Sequence, residues 1–315
     1  MLRKKALRKM IITTMSLFII MAIYMIPTTN EHNLQTTMEM KYVNTLGNHY
    51  IYLLDENNRL VKTKILLDGK NTIENAKIII TNLTKSDNTK FQEQLKPVLP
   101  TNTKVLDITY QKQDKTITLN FSKEFLKLEK EEKAIESIVY SLTELNEITN
   151  IIIKVENVTL DKYPNSKQEL PIPLTRKIGI NKQYDLTNTK NITKTVIYYL
   201  ENLDNNLYYV PVTKYTNDSQ DKIDIIVEEL TTGYIYEPNL ISLLDEKTKL
   251  IDYHQEEDVL FLNFNDALFD SNGKIQEEVL YTLCYSIFDN YDVNVISIAK
   301  ENNQVKTLTR NTIGK

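Results

Sequence analysis

Thr116-Ile-Thr-Leu-Asn-Phe121 reads as a short strand, and Val259-Leu-Phe-Leu-Asn-Phe264 repeats it 143 residues further on. Each ends in Leu-Asn-Phe, so strand alternation puts the Leu and Phe on one face and the Asn on the other. The similarity spreads in both directions from these two segments. Upstream, Lys104 to Asp107 and Lys249 to Asp252 share Lys-x-x-Asp, and Leu99 matches Leu244. Downstream, the helical stripe Ile135, Ile138, Leu142 returns as Leu280, Leu283, Ile287, and the doublet Tyr140-Ser141 returns as Tyr285-Ser286, all offset by 145. An earlier stripe, Ala76, Ile80, Leu83, with Ile73 one turn before it, matches Ile223, Val227, Leu230 at an offset of 147. Insertions in surface loops change such offsets at little cost, so a duplicated unit accounts for the pattern.

Each copy reads as two strands, a helix, two strands, a helix and one or two strands. In the first copy the strands fall near 49–54, 60–66, 104–111, 115–121 and 150–155, with a sixth near 157–160, and the helices near 72–84 and 130–146. In the second they fall near 195–200, 207–214, 248–254, 258–264 and 293–299, with helices near 218–230 and 274–289. Helices of this length must cover an apolar sheet face to persist, which predicts an α+β fold of two tandem two-layer α/β sandwich domains. The divisions are residues 47–175 and 191–315 for the domains and 176–190 for a linker, with Pro164, Pro171 and Pro173 punctuating the approach to it. Leu170 to Leu174 is a candidate edge strand.

Residues 1–26 carry a membrane signal. Arg3, Lys4, Lys5, Arg8 and Lys9 precede Met10 to Ile26, seventeen uncharged residues rich in Ile, Met, Leu and Phe. That run rises about 25 Å, the short end of what spans a hydrocarbon core, and the cations before it should stay in the cytoplasm. An uncleaved transmembrane anchor is the preferred reading over a cleaved signal peptide, because no Ala-x-Ala pattern follows. The polar stretch 27–46 would then tether the body outside the membrane.

The composition excludes several classes of chemistry. The 315 residues hold 38 Lys and Arg against 42 Asp and Glu; without the five cations of the first nine residues the net charge is −9, which argues against a nucleic-acid partner. Three His and one Cys leave no structural zinc pattern, and the lone Cys284 forbids an intrachain disulfide. Six Gly and no Gly-rich loop argue against a nucleotide cradle. His254 beside Gln255, Glu256, Glu257 and Asp258 is the best acid–base candidate, yet the run reads more simply as a solvated hairpin turn. Asn120 and Asn263 read as amides that satisfy backbone groups at the strand ends, and Cys284 as a small buried apolar residue. His32 falls in the tether and His49 opens the first strand; neither has a partner identifiable from sequence. Tyr50, Tyr52, Tyr198, Tyr199, Tyr208, Tyr209, Tyr234 and Tyr236 cluster in or near strands, among nineteen Tyr and no Trp. Good strand formers explain them, and an interface for protein or glycan is the alternative. No catalytic, cofactor-binding or metal-ligating residue is assigned.

The repeated unit resembles the GerM domain family of sporulation and spore germination proteins. The resemblance rests on Thr116 to Ser122, Glu136 to Thr143 and Ile151 to Val155, echoed by Val259 to Asn265, Leu280 to Ile287 and Val293 to Ile298. It implies domains of ring-building-like type and a non-enzymatic protein that scaffolds or stabilises a transenvelope complex between mother cell and forespore. Its partners would be other sporulation envelope proteins, with the membrane contacted through residues 10–26, and wall contact and homo-oligomer formation both open. The location implied is the cell membrane, single-pass, with the N-terminus cytoplasmic and the body in the intermembrane space of the forespore. The best-known members resemble lipoproteins, whereas no Cys here lies near the end of the apolar run. A wall-glycan or peptide-binding module is the alternative function, and an envelope hydrolase using His254 the third.

Overall fold

The computed structural model describes residue 47 and residues 49–314, apart from 87–90, 92–93, 218, 233–234, 236–238 and 302. Strand β1 (His49–Leu54) turns through Asp55 to Arg59 and pairs antiparallel with β2 (Leu60–Ile65). Helix α1 (Thr72–Leu83) starts at Asn71, whose side-chain oxygen accepts from the Glu74 amide at 2.9 Å, while the Glu74 carboxylate accepts from the Lys70 amide at 2.7 Å. This capping arrangement satisfies donors that a helix start leaves free, and the helix buries Ala76, Ile79, Ile80 and Leu83. Strands β3 (Val105–Gln111) and β4 (Thr116–Phe121) pair antiparallel. Helix α2 (Glu131–Leu142) then carries the chain back, so that β5 (Asn150–Val155) lies parallel to β4 and β6 (Val158–Thr159) adds to its far side.

After β7 (Gln183–Asp185) the order recurs. Strands β8 (Thr193–Leu203) and β9 (Asn206–Thr216) form a hairpin about Asp204-Asn205, both at positive φ as a two-residue turn of this kind requires. Helix α3 (Lys222–Thr231) leads through the short β10 (Leu240–Ile241) to β11 (Leu250–Glu256) and β12 (Val259–Phe264). Helix α4 (Glu277–Asn290) returns the chain to β13 (Val295–Lys300), parallel to β12, and β14 (Asn303–Thr309) follows. The duplication reaches fine detail. Both β3–β4 and β11–β12 break register at the same place, between Val105 and Asp107 and between Leu250 and Asp252.

The two repeats share a sheet. Strand β2 pairs antiparallel with β9 at Lys62 and Tyr209, giving the order β1-β2-β9-β8-β10, with β7 parallel to β9. The reading of two tandem sandwiches therefore changes in one respect: the leading hairpins of the two repeats meet edge to edge at that register pair, so that one sheet runs through both. The segment 176–190, read as a linker, supplies β7 and a buried Asn181 whose amide donates to the Leu60 and Pro211 carbonyls, both at 2.8 Å. Leu174 meets Ile151 through a pair of backbone hydrogen bonds rather than a longer strand. The mixed α/β body so formed has four α-helices among the described residues. The proposed anchor Met10–Ile26, the tether 27–46 and His32 lie outside the described residues, and among those described no helix is long and apolar enough to cross a membrane.

Candidate functional site at the repeat junction

The Tyr-Ser doublets that mark the two long helices meet the shared sheet in the same way. The Tyr52 amide donates to Ser141 Oγ at 2.9 Å, and the Tyr198 amide donates to Ser286 Oγ at 2.8 Å. Each hydroxyl ties a helix to the leading strand of its own repeat. The two strand tyrosines then touch across the junction, Oη to Oη at 3.0 Å. Tyr52 also donates to Glu144 at 2.8 Å and Tyr198 to Asp289 at 2.9 Å, so the equivalent carboxylates at the helix ends face one another.

Arg176 joins them. Its guanidinium donates to Glu144 at 2.7 Å, to Asp289, and through Nε to Thr143 at 2.8 Å. Lys62 supplies the second cation, 3.3 Å from Glu144, with Nζ 3.8 Å from the ring centre of Tyr285 and 4.5 Å from that of Tyr50. Two cations and two carboxylates thus balance in a buried setting where an unpaired charge would be costly. Burial by itself would push the Glu144 carboxyl up, but Lys62 and Arg176 hold it down at about 2. Burial pushes the Lys62 ammonium below its usual range despite Glu144, and drives the hydroxyls of Tyr52, Tyr140 and Tyr198 well above theirs. The chain's end packs over this cluster. Tyr50 Oη donates to the Gly314 carbonyl at 2.9 Å, and Gly314 has φ +73°, where a Cβ would press on the hydroxyls of Tyr285 and Tyr50.

A second ionic cluster crosses the junction at the hairpin tip. Asp55 accepts from the Arg59 amide at 2.6 Å, the Arg59 guanidinium pairs with Glu201 of β8, and Asn57 donates to Glu201 at 2.9 Å. One guanidinium here serves two buried carboxyls. Burial first, and then the neighbouring Asp55, pushes the Glu201 carboxyl up to about 7.

These groups hold the repeats together and are filled by the chain's own side chains. Sequence reasoning missed Lys62, Glu144, Arg176 and Asp289, although Tyr52 and Tyr198, like Glu144 and Asp289, lie at the repeat offset and could have been found by aligning the copies. The residues singled out from sequence are dispersed. His254 sits exposed on β11, stacked on Phe261 with ring centres 4.8 Å apart and 3.7 Å from Glu256. Asn120 exchanges hydrogen bonds of 2.9 Å with Asn157, and Asn263 donates to Asp252 at 2.9 Å, each fastening a strand to its neighbour. Cys284 is buried in α4, where burial pushes its thiol well above the usual range, and His49 has Nε2 3.5 Å from the Ser141 carbonyl. Among the described residues no cluster of three His, Cys, Asp or Glu side chains is placed to hold a metal ion.

The profile of the Germane family, described as sporulation and spore germination, matches residues 50–161 and 196–306, one match for each repeat. The chain belongs to the Germane family. Spore germination protein GerM of Bacillus subtilis (strain 168) is 32% identical over an alignment of 214 residues that covers 64% of this chain and 57% of that relative, so the aligned stretch spans little more than half of its length. The solved tandem GerMN domains of the B. subtilis sporulation protein GerM align with a TM-score of 0.72 at 26% identity, covering 81% of this chain and 91% of that one. The family is described by sporulation and spore germination, and both the relative and the solved structure are GerM proteins of that kind.

Proposed function

We propose that this Germane protein is a non-enzymatic scaffold of the sporulation envelope, displayed beyond a membrane anchor at Met10–Ile26 and stabilising a transenvelope complex between mother cell and forespore. Other envelope proteins would be its partners, and the body would stand in the intermembrane space. The observation that carries the reading is that two repeats, joined through a shared sheet, leave two equivalent strands at sheet edges. Strands β3 and β11 each expose an aliphatic side chain at the bulge, Leu106 and Ile251. A bulge on an edge strand discourages indiscriminate pairing while aiming a side chain outward, which suits selective binding.

Cross-linking in sporulating cells, followed by isolation of the tagged full chain, tests this. Reproducible recovery of identified envelope proteins, reduced by L106S or I251S, is expected. Recovery of none under conditions that preserve the complex, or a body protected from protease added outside wall-stripped cells, overturns it.

A further inference from the structure

At the end of the shared sheet where β7 joins, Tyr184, Tyr215 and Lys194 stand in one cross-strand row, since Tyr184 and Lys194 are both in register with Tyr215. Neighbours in register share a face. The two rings stack with centres 4.9 Å apart and planes 13° apart, and Tyr184 is 63% exposed, so one flat aromatic face is open to solvent with a second ring behind it. Leu186 and Ile192, just past the adjoining strand ends, are exposed as well. Between them the loop is held in shape by Asn217, whose side-chain oxygen accepts from the Thr187 and Asn188 amides at 2.7 and 3.2 Å and whose nitrogen donates to the Lys190 carbonyl at 2.7 Å.

The surroundings have a definite charge. Residues 177–194 contain four lysines and one acid, Asp185, on a body that is otherwise acidic. Lys182 is committed to Glu132 and Glu136. Lys194 has two backbone carbonyls, of Arg176 and Lys177, as its hydrogen-bond partners at 2.9 and 3.0 Å. Among the described residues no carboxylate lies within ion-pair distance of Lys177, Lys190 or Lys194. Size then distinguishes the partner. Three strands span about 10 Å, giving a platform on the order of 100 Å², whereas a stable protein partner covers about 800 Å² per side. A platform of that size fits one or two pyranose rings. A pyranose offers a flat C–H face to an aromatic ring, hydroxyls and acetamides to the polar loop, and any carboxylate to the lysines.

We propose that the open face of Tyr184, backed by Tyr215, with Lys194 in the same cross-strand row and Lys177 and Lys190 on the adjoining segments, binds a carboxylate-bearing glycan strand of the cell-wall type. This stands beside the scaffold role and does not depend on it.

The test uses the full chain in detergent, with protein-free peptidoglycan sacculi and a neutral N-acetylglucosamine pentamer as separate probes. Saturable retention on sacculi is expected, weaker for the pentamer. Y184A should weaken it about tenfold and Y184F should leave it near wild type, because the ring and not the hydroxyl makes the contact. K190E should weaken sacculus binding about threefold at low salt, with the difference vanishing at high salt. The melting curve of each variant is recorded, and L186N serves as a second probe of the platform should Y184A unfold. No saturable retention, retention unchanged in Y184A and L186N, or equal loss in Y184F would overturn the proposal. So would concentration-dependent sedimentation abolished by Y184A, which would give this face to a second copy of the chain.

Discussion

Two ionic clusters fasten one repeat to the other, and they are balanced differently. At the centre, Lys62 and Arg176 meet Glu144 and Asp289, and the Glu144 carboxyl is held near 2. At the hairpin tip, Arg59 alone serves Asp55 and Glu201, and the Glu201 carboxyl rises to about 7. The tip cluster is buried and belongs to the two leading hairpins, whereas at the centre only Lys62 comes from a hairpin and Glu144, Arg176 and Asp289 are partly exposed; the count of cations also differs. At Glu144 two cations outweigh the effect of burial, whereas at Glu201 burial and the neighbouring Asp55 outweigh the single guanidinium.

Removing a cation should separate the two clusters most. Arg176→Met removes the ion-pair partner of Asp289 and leaves Glu144 with only Lys62, and should cost about 3–5 kcal/mol in urea unfolding at pH 7. Arg59→Met should cost less, and its cost should shrink on acidification, because Glu201 can keep its proton. Equal losses at every pH would show the contrast to be wrong.

The pH profile gives the next largest effect, with opposite signs. A depressed Glu144 contributes stability that is present above about 4.5 and lost as pH falls toward about 2, roughly 3 kcal/mol in all. The raised Glu201 contributes stability that is present below about 4.5 and lost as pH rises through about 7. Glu144→Gln should therefore flatten the acid limb of the stability curve, and Glu201→Gln the limb between pH 4.5 and 7. An acid limb unchanged by Glu144→Gln would remove the centre from the account.

Ser141→Ala and Ser286→Ala test how far the two halves of the junction are equivalent. Each leaves a buried amide, of Tyr52 or Tyr198, without its acceptor and should cost about 1–3 kcal/mol. Gly314→Ala should cost about 1–2 kcal/mol, since an L-residue is disfavoured at that φ and its Cβ would press on Tyr285. The smallest effect belongs to the histidine that drew attention in the sequence. His254→Ala, on an exposed strand, should change stability by less than about 0.5 kcal/mol.

The contrast between His254 and Arg176 shows why the fold was more legible than the junction. Helical stripes and the Leu-Asn-Phe strands are local patterns with fixed periods, so the order of strands and helices could be read within each repeat. His254 looked chemical because its acidic neighbours are adjacent in sequence, yet an exposed hairpin keeps them in water. Arg176 lay in a proline-punctuated stretch that reads as a linker, and its partners Glu144 and Asp289 are 32 residues before it and 113 after. Nothing local announces a charge whose partners come from the turn after one helix and the last turn of another. The repeat offset carried an unread signal, because Glu144 and Asp289 both fall three residues after the Ser of the Tyr-Ser doublet.

By itself the sequence determined that one α/β unit occurs twice, since hydrophobic period and its recurrence are properties of the chain. The tertiary structure decided that β2 and β9 complete a common sheet, that tyrosines from both repeats close around Lys62, and which carboxyls lie high or low. Those outcomes depend on distances between groups far apart along the chain and on the water excluded when they meet, neither of which any local pattern encodes.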